Sequence, residues 1–554
     1  MAGLLILLLL CFFIAVQSPR VQTGLARYVT SRLEKSLGGH FSIGAIRLMP
    51  FNAVVVKDVV LLDDSPYTED IYGRGHKHLD TLASIGRLSA TLSLGSLFNH
   101  KGLHLNRVEI EDPFFLLTSE PDSVYGSNLA RVLRLGPGGD DSPMSLDSIF
   151  TIDHVNIING RYRMVSFYPG TPGKHGIDYG DMDLSFNLKG HDVSFYGARC
   201  HAVVDHLDAL DKSGYGITDA RGTVAVGQGR TEVGKLLFCD NMGSELHMKK
   251  VTLSYEDMSC WSDFLNRVDL DVLFEPSHLM LESISGFSGG VFYGDRFPID
   301  ISSGRFKGTV ADFRISDLRM TNPTGGTSGT VNGTCRGIPD TPNMAIDATL
   351  EGFTFTLEGL EKGLAELSAS VPLKKMAPGT VFHMDGEVHG ILNDFAAFVR
   401  LRSAIGSLNA RAKALYVLDQ KPMSISATAS SDALDLGKLL GSGELGPCTM
   451  KADAKIRLPK GGPQIDVERL DIERLRFHGY DYGDIALTGS MKGDDVEASI
   501  VSSDPNAPLS LLADLNISDK SGRVNLDLGD VDLAALNLDT RGGASRISCS
   551  ISAE

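Results

Sequence analysis

Cation clusters, paired cysteines and aromatic side chains are what this sequence has least of. Aromatics make up 7% of the 554 residues, with a single tryptophan, Trp261, and proline numbers 22 against 60 glycines. The formal net charge is −17 and no stripe of Lys and Arg interrupts it. That balance excludes a nucleic-acid partner, because phosphate binding needs clustered cations that release counterions. It also excludes broad electrostatic adsorption to an anionic lipid surface, so any membrane contact has to be hydrophobic. The seven cysteines, Cys11, Cys200, Cys239, Cys260, Cys335, Cys448 and Cys549, are scattered without a C-x-x-C pair. They describe neither a zinc site nor a disulfide framework, and which pair would oxidise outside the cytosol is left open.

Catalytic signatures are missing as well. There is no G-x-x-x-x-G-K-[ST], no G-x-S-x-G and no H-E-x-x-H, so the reading is of a protein that is not an enzyme and takes no cofactor or metal. Gly227-Gln228-Gly229 starts like a dinucleotide loop but lacks the third glycine and sits between strand-like runs; it reads as a hairpin turn. His76-Lys77-His78, in a loop rich in Gly and Asp, reads as a solvated loop. Asp63-Asp64 and Asp140-Asp141 read as turn or edge charges that discourage sheet association.

The N-terminus is the one long apolar run. Every residue from Met1 to Val16 is apolar, whereas a bilayer span takes roughly 20. An uncleaved anchor, a cleaved signal peptide and a lipoprotein leader using Cys11 compete. The anchor over 1–18 is preferred, since a charged n-region and a small-x-small cleavage site are both missing, and Leu10 is too large before a lipidated cysteine. A helix over 19–38 follows, with Ser18 as cap, Pro19 in the first turn and Gly38-Gly39 as its end. Val21, Leu25, Val29, Leu33 and Leu37 give it one apolar stripe.

From His40 onward the period is two. Leu88, Leu92 and Leu94 alternate with polar residues, as do Met182, Leu184, Phe186 and Leu188, then Leu270 and Phe274, then Ala454 and Ile456, and finally Leu526. Such alternation marks strands with one buried face. Asn159-Gly160, Gly289-Gly290, Asn332-Gly333 and Gly461-Gly462-Pro463 read as turns joining antiparallel neighbours. Helical interruptions are expected only at Ser127–Leu135, Leu357–Leu367 and Leu434–Leu440. No run of amphipathic helices is present to cover the apolar face. Either a long meander curls around it as a groove, on the order of 140 Å long for roughly 30 strands, or several closed β-sandwiches each fill their own core.

Particular residues are familiar in their order. They are Pro19-Arg20-Val21-Gln22, then Phe41-Ser42-Ile43-Gly44, Val54-Val55-Val56-Lys57-Asp58-Val59, Ile152-Asp153-His154-Val155-Asn156-Ile157-Ile158-Asn159-Gly160, Leu436-Gly437-Lys438-Leu439-Leu440, Gly479-Tyr480-Asp481-Tyr482 and Asp504-Pro505-Asn506. In this order they resemble the AsmA-like superfamily, and within it the TamB-type translocation and assembly module proteins of diderm bacteria. The resemblance implies a mainly β fold, with an inner-membrane anchor and an amphipathic helix. A long curled antiparallel β-groove would follow, an N-terminal region over 39–355 and a repeated region over 356–554. Family members run longer and end in a domain that meets an outer-membrane β-barrel, whereas this sequence stops at Glu554 in mid-pattern; a continuation is expected.

The function implied is a periplasmic groove, held in the inner membrane, whose partners are phospholipid acyl chains. Lining positions would be Leu88, Leu92, Leu94, Met182, Leu184, Phe186, Leu188, Leu270, Phe274, Ala454, Ile456 and Leu526. The alternative is translocation or assembly of outer-membrane or secreted proteins with an outer-membrane β-barrel partner, and a third reading is a structural adhesin.

Overall fold

The structure, a computed structural model, describes residues 40–554 apart from connecting segments, the longest being 64–79, 93–102, 133–149, 167–174 and 367–375, and six residues between 23 and 31. Those six, Thr23, Gly24, Arg27, Tyr28, Thr30 and Ser31, are helical, as the capping signals predict. The anchor over 1–18 and the apolar stripe of the following helix lie outside the described residues. Among the described residues no helix is long and apolar enough to cross a membrane.

The protein is mainly β and divides into two compact units, Met1–Arg296 and Phe297–Glu554. In the first, β1 (His40–Met49), β2 (Ala53–Asp63), β3 (Asp80–Leu92) and β4 (Leu103–Glu120) pair antiparallel in chain order. The next long strand, β6 (Phe150–Ser166), lies parallel to β4. That departure from the antiparallel expectation requires a crossover, which carries the short β5 (Gly126–Ser127) and α1 (Asn128–Val132). The Asn128 side chain pins it, accepting from the Thr118 N–H at 2.9 Å and donating to the Leu116 carbonyl at 2.9 Å. Antiparallel pairing then resumes through β7 (Asp181–Tyr196), β8 (Arg199–Asp211), β9 (Gly216–Gly227), β10 (Arg230–Asp240), β11 (Glu245–Ser254) and β12 (Asp269–Phe274). The Gly227-Gln228-Gly229 segment is the hairpin between β9 and β10. Helix α2 (Phe264–Arg267) precedes β12, while β13 (Ser277–Met280) and α3 (Glu282–Ser288) follow it. The sequence pattern shows neither helix, because four and seven residues make too few turns for a helical period to show.

The second unit is an unbroken antiparallel meander of fifteen strands. Its strands are β14 (Pro298–Gly308), β15 (Asp312–Asn322), β16 (Thr327–Arg336), β17 (Ala345–Thr356), β18 (Val381–Ile391), β19 (Asp394–Ser403), β20 (Gly406–Leu415) and β21 (Met423–Asp435). They continue as β22 (Leu445–Leu458), β23 (Gln464–Phe477), β24 (Tyr480–Lys492), β25 (Asp495–Ser502), β26 (Leu509–Asn516), β27 (Ser521–Asp532) and β28 (Arg546–Ala553). Helix α4 (Leu357–Glu366) follows β17 as expected, and α5 (Leu436–Leu440) starts two residues later than the pattern suggests. Leu434 and Asp435 end β21, and the Asp435 carboxylate caps α5 by accepting from the Lys438 N–H at 3.0 Å.

Two predicted turns are interior to strands instead. Asn159-Gly160 sits within β6, where Asn159 has φ 55 and the pairing shifts register. Asn332-Gly333 sits within β16, paired to Thr349 and Ala348. Asn159 belongs to a set of left-handed residues inside strands, including Asp58, Asp112, Asp192, Lys235, Asp317 and Asp484. Asp and Asn tolerate this conformation better than other side chains. At Asn159, Asp192, Lys235 and Asp317 the pairing shifts register by one residue, a bulge that bends the strand and raises the local twist, while at Asp58, Asp112 and Asp484 the register is kept.

Candidate functional site: a continuous apolar face

Cross-strand register, read pair by pair, decides which side chains share a face. In the first unit a row perpendicular to the strands runs from Ile46 through Val56, Leu88, Ile110, Ile157, Leu188, Leu207, Ala220 and Phe238 to Leu246, one residue per strand. Beside it, Leu92 pairs with Leu105 and Leu105 with Ile152. Met182 pairs with Met164 and Leu184 with Tyr162, and the Phe186 ring covers Gly160, where an added Cβ would lie 2.5 Å from it. Leu270 pairs with Leu253 and Phe274 with Met248.

The second unit carries four such rows side by side. In the first, Leu318 on β15 pairs with Val331, and the row continues through Leu350, Gly386, Val399, Ala410, Ala429, Ala452, Leu470, Leu487, Ile500, Leu511 and Leu526 to Ile551 on β28. The second runs from Ile315 to Ala553, through Ala454, and every position between is Ala, Gly or Val. A third, from Phe313 to Leu515, includes Ile456 between Ile425 and Ile465. The fourth holds Met384, Leu401 and Leu408, then Met450, Ile472 and Ile485.

All the predicted lining residues that are described therefore fall on the apolar face; Leu94 lies outside the described residues. Leu88 and Leu92, half-buried themselves, pack on a buried cluster of Leu105, Val108, Ile152 and Val193, and Ala454, Ile456, Leu487 and Leu526 are half-buried as well. A closed sandwich would bury these central rows under a second sheet.

The two rims of the second unit also differ. Where β17, β21, β25 and β27 end, the connections carry α4, α5, the 503–508 turn and the 533–545 segment. They bury Phe355, Ala377, Phe382, Ile405 and Leu434 in one cluster, and Ala507, Val531 and Leu536 in another. Thr356, Asp435, Asp504 and Asp532 start these plugs in the same way, each side-chain oxygen accepting a backbone N–H two or three residues on. On the opposite rim no connection is longer than residues 337–344, and Tyr416, Leu458 and Ile517 stand exposed beside the turns.

The outer face is polar and cross-braced. Arg87 meets Glu111 at 2.5 Å, and Arg161 clasps Asp183 with two hydrogen bonds of 2.8 and 2.6 Å. That clasp holds the Asp183 carboxyl below its ordinary pKa. The His191 Nδ1–H donates to the Asp205 carboxylate at 2.9 Å, and this hydrogen bond raises the imidazole pKa. Tyr215, at the end of the β8–β9 hairpin, has its phenol pKa pushed up by burial and by Asp240, to which it donates at 3.2 Å. Among the described residues no group of three or more His, Cys, Asp or Glu is placed to hold a metal ion; His76 and His78 lie outside them.

Residue alternation locates the face but not the plugs. Ala377, Ile405 and Leu536 lie in connections, and the only local signal for such a plug is a capping Asp or Thr at a strand end. Compared with known proteins, the chain matches no family model, no curated protein and no solved structure.

Proposed function

We propose that this protein is a non-enzymatic conduit whose apolar face carries phospholipid acyl chains, held at the inner membrane of a diderm bacterium by its N-terminal segment and moving lipid towards the outer membrane. The observation that supports it is the set of unbroken apolar rows left half-buried across β15–β28. Water contact over so long an apolar surface is unfavourable by roughly 25 cal/mol per Å², and the largest apolar patch of a typical monomer is only a few hundred Å². An acyl chain answers both terms, gaining ~0.8 kcal/mol per buried methylene, on the order of 10 kcal/mol for a long chain. The rows offer no polar hook that would hold one position in preference to the next, so bound chains slide between near-equal sites. Assembly of nascent outer-membrane strands would instead use main-chain edges, to which these faces contribute nothing.

The test is to purify the full chain in mild detergent, extract it and identify co-purified lipid by mass spectrometry. Wild type should carry phospholipid, and Ala454→Asp should lose it while keeping its β circular dichroism. A lipid-free wild type, or a folded variant that retains its lipid, would overturn the proposal.

A further inference from the structure

The inserted elements of the Phe297–Glu554 unit all lie on one rim, and this gives the apolar face a direction across its width. At that rim Phe355, Phe382, Ile405 and Leu434 are closed over by α4, α5 and the turn at Ala377. A charged or zwitterionic group placed there would be buried without partners, which is costly. At the other rim the strands end in short turns and, among the described residues, no buried apolar cluster forms, so water reaches the ends of the rows.

The width between the rims suits one class of occupant. Inward-facing residues recur every second position, about 6.6 Å apart along a strand, so four rows span about 20 Å. The hydrocarbon core of a bilayer is about 30 Å thick, so the tails of one leaflet are about 15 Å deep. Building on the lipid reading proposed above, we infer that the cargo is a membrane lipid laid across the strands. Its tail ends lie against the plugged rim, and its polar headgroup rides in water along the rim formed by the β14–β15, β18–β19, β20–β21 and β22–β23 turns. Tails without a headgroup, such as free alkanes, would have no reason to choose a side.

Two phosphatidylethanolamine probes test this, one with a diazirine on the headgroup and one with it at the end of a tail, each photolysed with the full chain and mapped by peptide mass spectrometry. Headgroup adducts should favour residues 414–424 and 456–465 over 403–407 and 502–509 by at least about tenfold, since burying a charged group at a closed rim costs more than that factor. Tail-end adducts should fall on Met384, Leu401 and Met450. Headgroup adducts spread over both rims, or concentrated at the plugged one, overturn the orientation while leaving the lipid reading intact. Failure of the tail-end probe to label any of the rows overturns the lipid reading itself.

Discussion

In the Met1–Arg296 unit a buried cluster forms where the ends of β3, β4, β6 and β7 pack on one another, with Val108 and Ile152 exposed by 6% and 8%, whereas in the Phe297–Glu554 unit the buried clusters form where inserted connections pack on the strand ends. The central rows are half-buried in both. The first unit has a parallel β4–β6 pair and strands as long as the 18 residues of β4; the second is a plain meander. Paired strand ends close a cluster by themselves in the first unit, while in the meander the closing residues come from α4, α5 and the connections after β25 and β27. Each unit thus buries one end of its apolar strand faces and leaves its central rows half-buried.

That contrast is broken most sharply by a single charge. Val108→Asp should unfold the first unit, because an unpaired carboxylate in a closed cluster costs several kcal/mol. The unit would become susceptible to proteolysis and lose its β circular dichroism. Leu487→Asp, on a half-buried row, should leave protease resistance intact and remove bound lipid. Equal loss of structure in both variants would show that the second unit's rows are a core as well.

Next in size is a truncation within the second unit. Leu434, 6% exposed in the plug cluster, should lose about 2–5 kcal/mol on replacement by Ala, the range for deleting a packed aliphatic side chain. Leu470→Ala on an open row should cost less than half as much. Urea midpoints from circular dichroism would compare the two.

Much of the architecture is legible in the residues. Leu184, Phe186, Ile456 and Leu526 alternate with polar neighbours and lie on the apolar face, and the capped segment at Leu357 is a helix. What alternation misses has physical causes. A left-handed Asn159 or Asp317 inserts a residue that flips the pattern, so that Ile315 and Leu318, paired to Gly333 and Val331, share a face although three positions separate them. The β4–β6 pairing depends on a long crossover, and no local pattern encodes which strand a crossover returns to. Asn159-Gly160 looks like a hairpin turn because a bulge and a type I′ turn draw on the same left-handed residues. Exposure is the least legible property of all: Ile152 and Ile456 look alike in sequence, and only Ile152 sits in a buried cluster with side chains of neighbouring strands.

A smaller effect sharpens how the second unit keeps one rim closed. Asp435 caps α5, and Gly441 ends that helix in the left-handed conformation with φ 69. Asp435→Ala should cost about 1 kcal/mol, as for other caps, and should raise hydrogen exchange in α5 before it changes the strands. Exchange rising uniformly through β21 and β22 would show that the plug and the ladder open as one piece.

The smallest effect concerns the first unit's outer face, where two ion pairs give opposite responses to pH. Asp183, hydrogen-bonded by Arg161, has a pKa below the usual ~3.9, so its contribution is present above that value and is lost as pH falls through the depressed one. His191 beside Asp205 has a pKa above ~6.5, so its contribution is complete below that value and is lost as pH rises through the raised one. Both pairs are solvent-facing, which keeps the effects small and sensitive to salt. Urea midpoints read by circular dichroism should therefore fall at both ends of the pH range. Arg161→Gln should flatten the acid side alone and Asp205→Asn the neutral-to-alkaline side alone. If each variant shifts the whole curve without changing its slope, the outer-face pairs contribute packing and not charge.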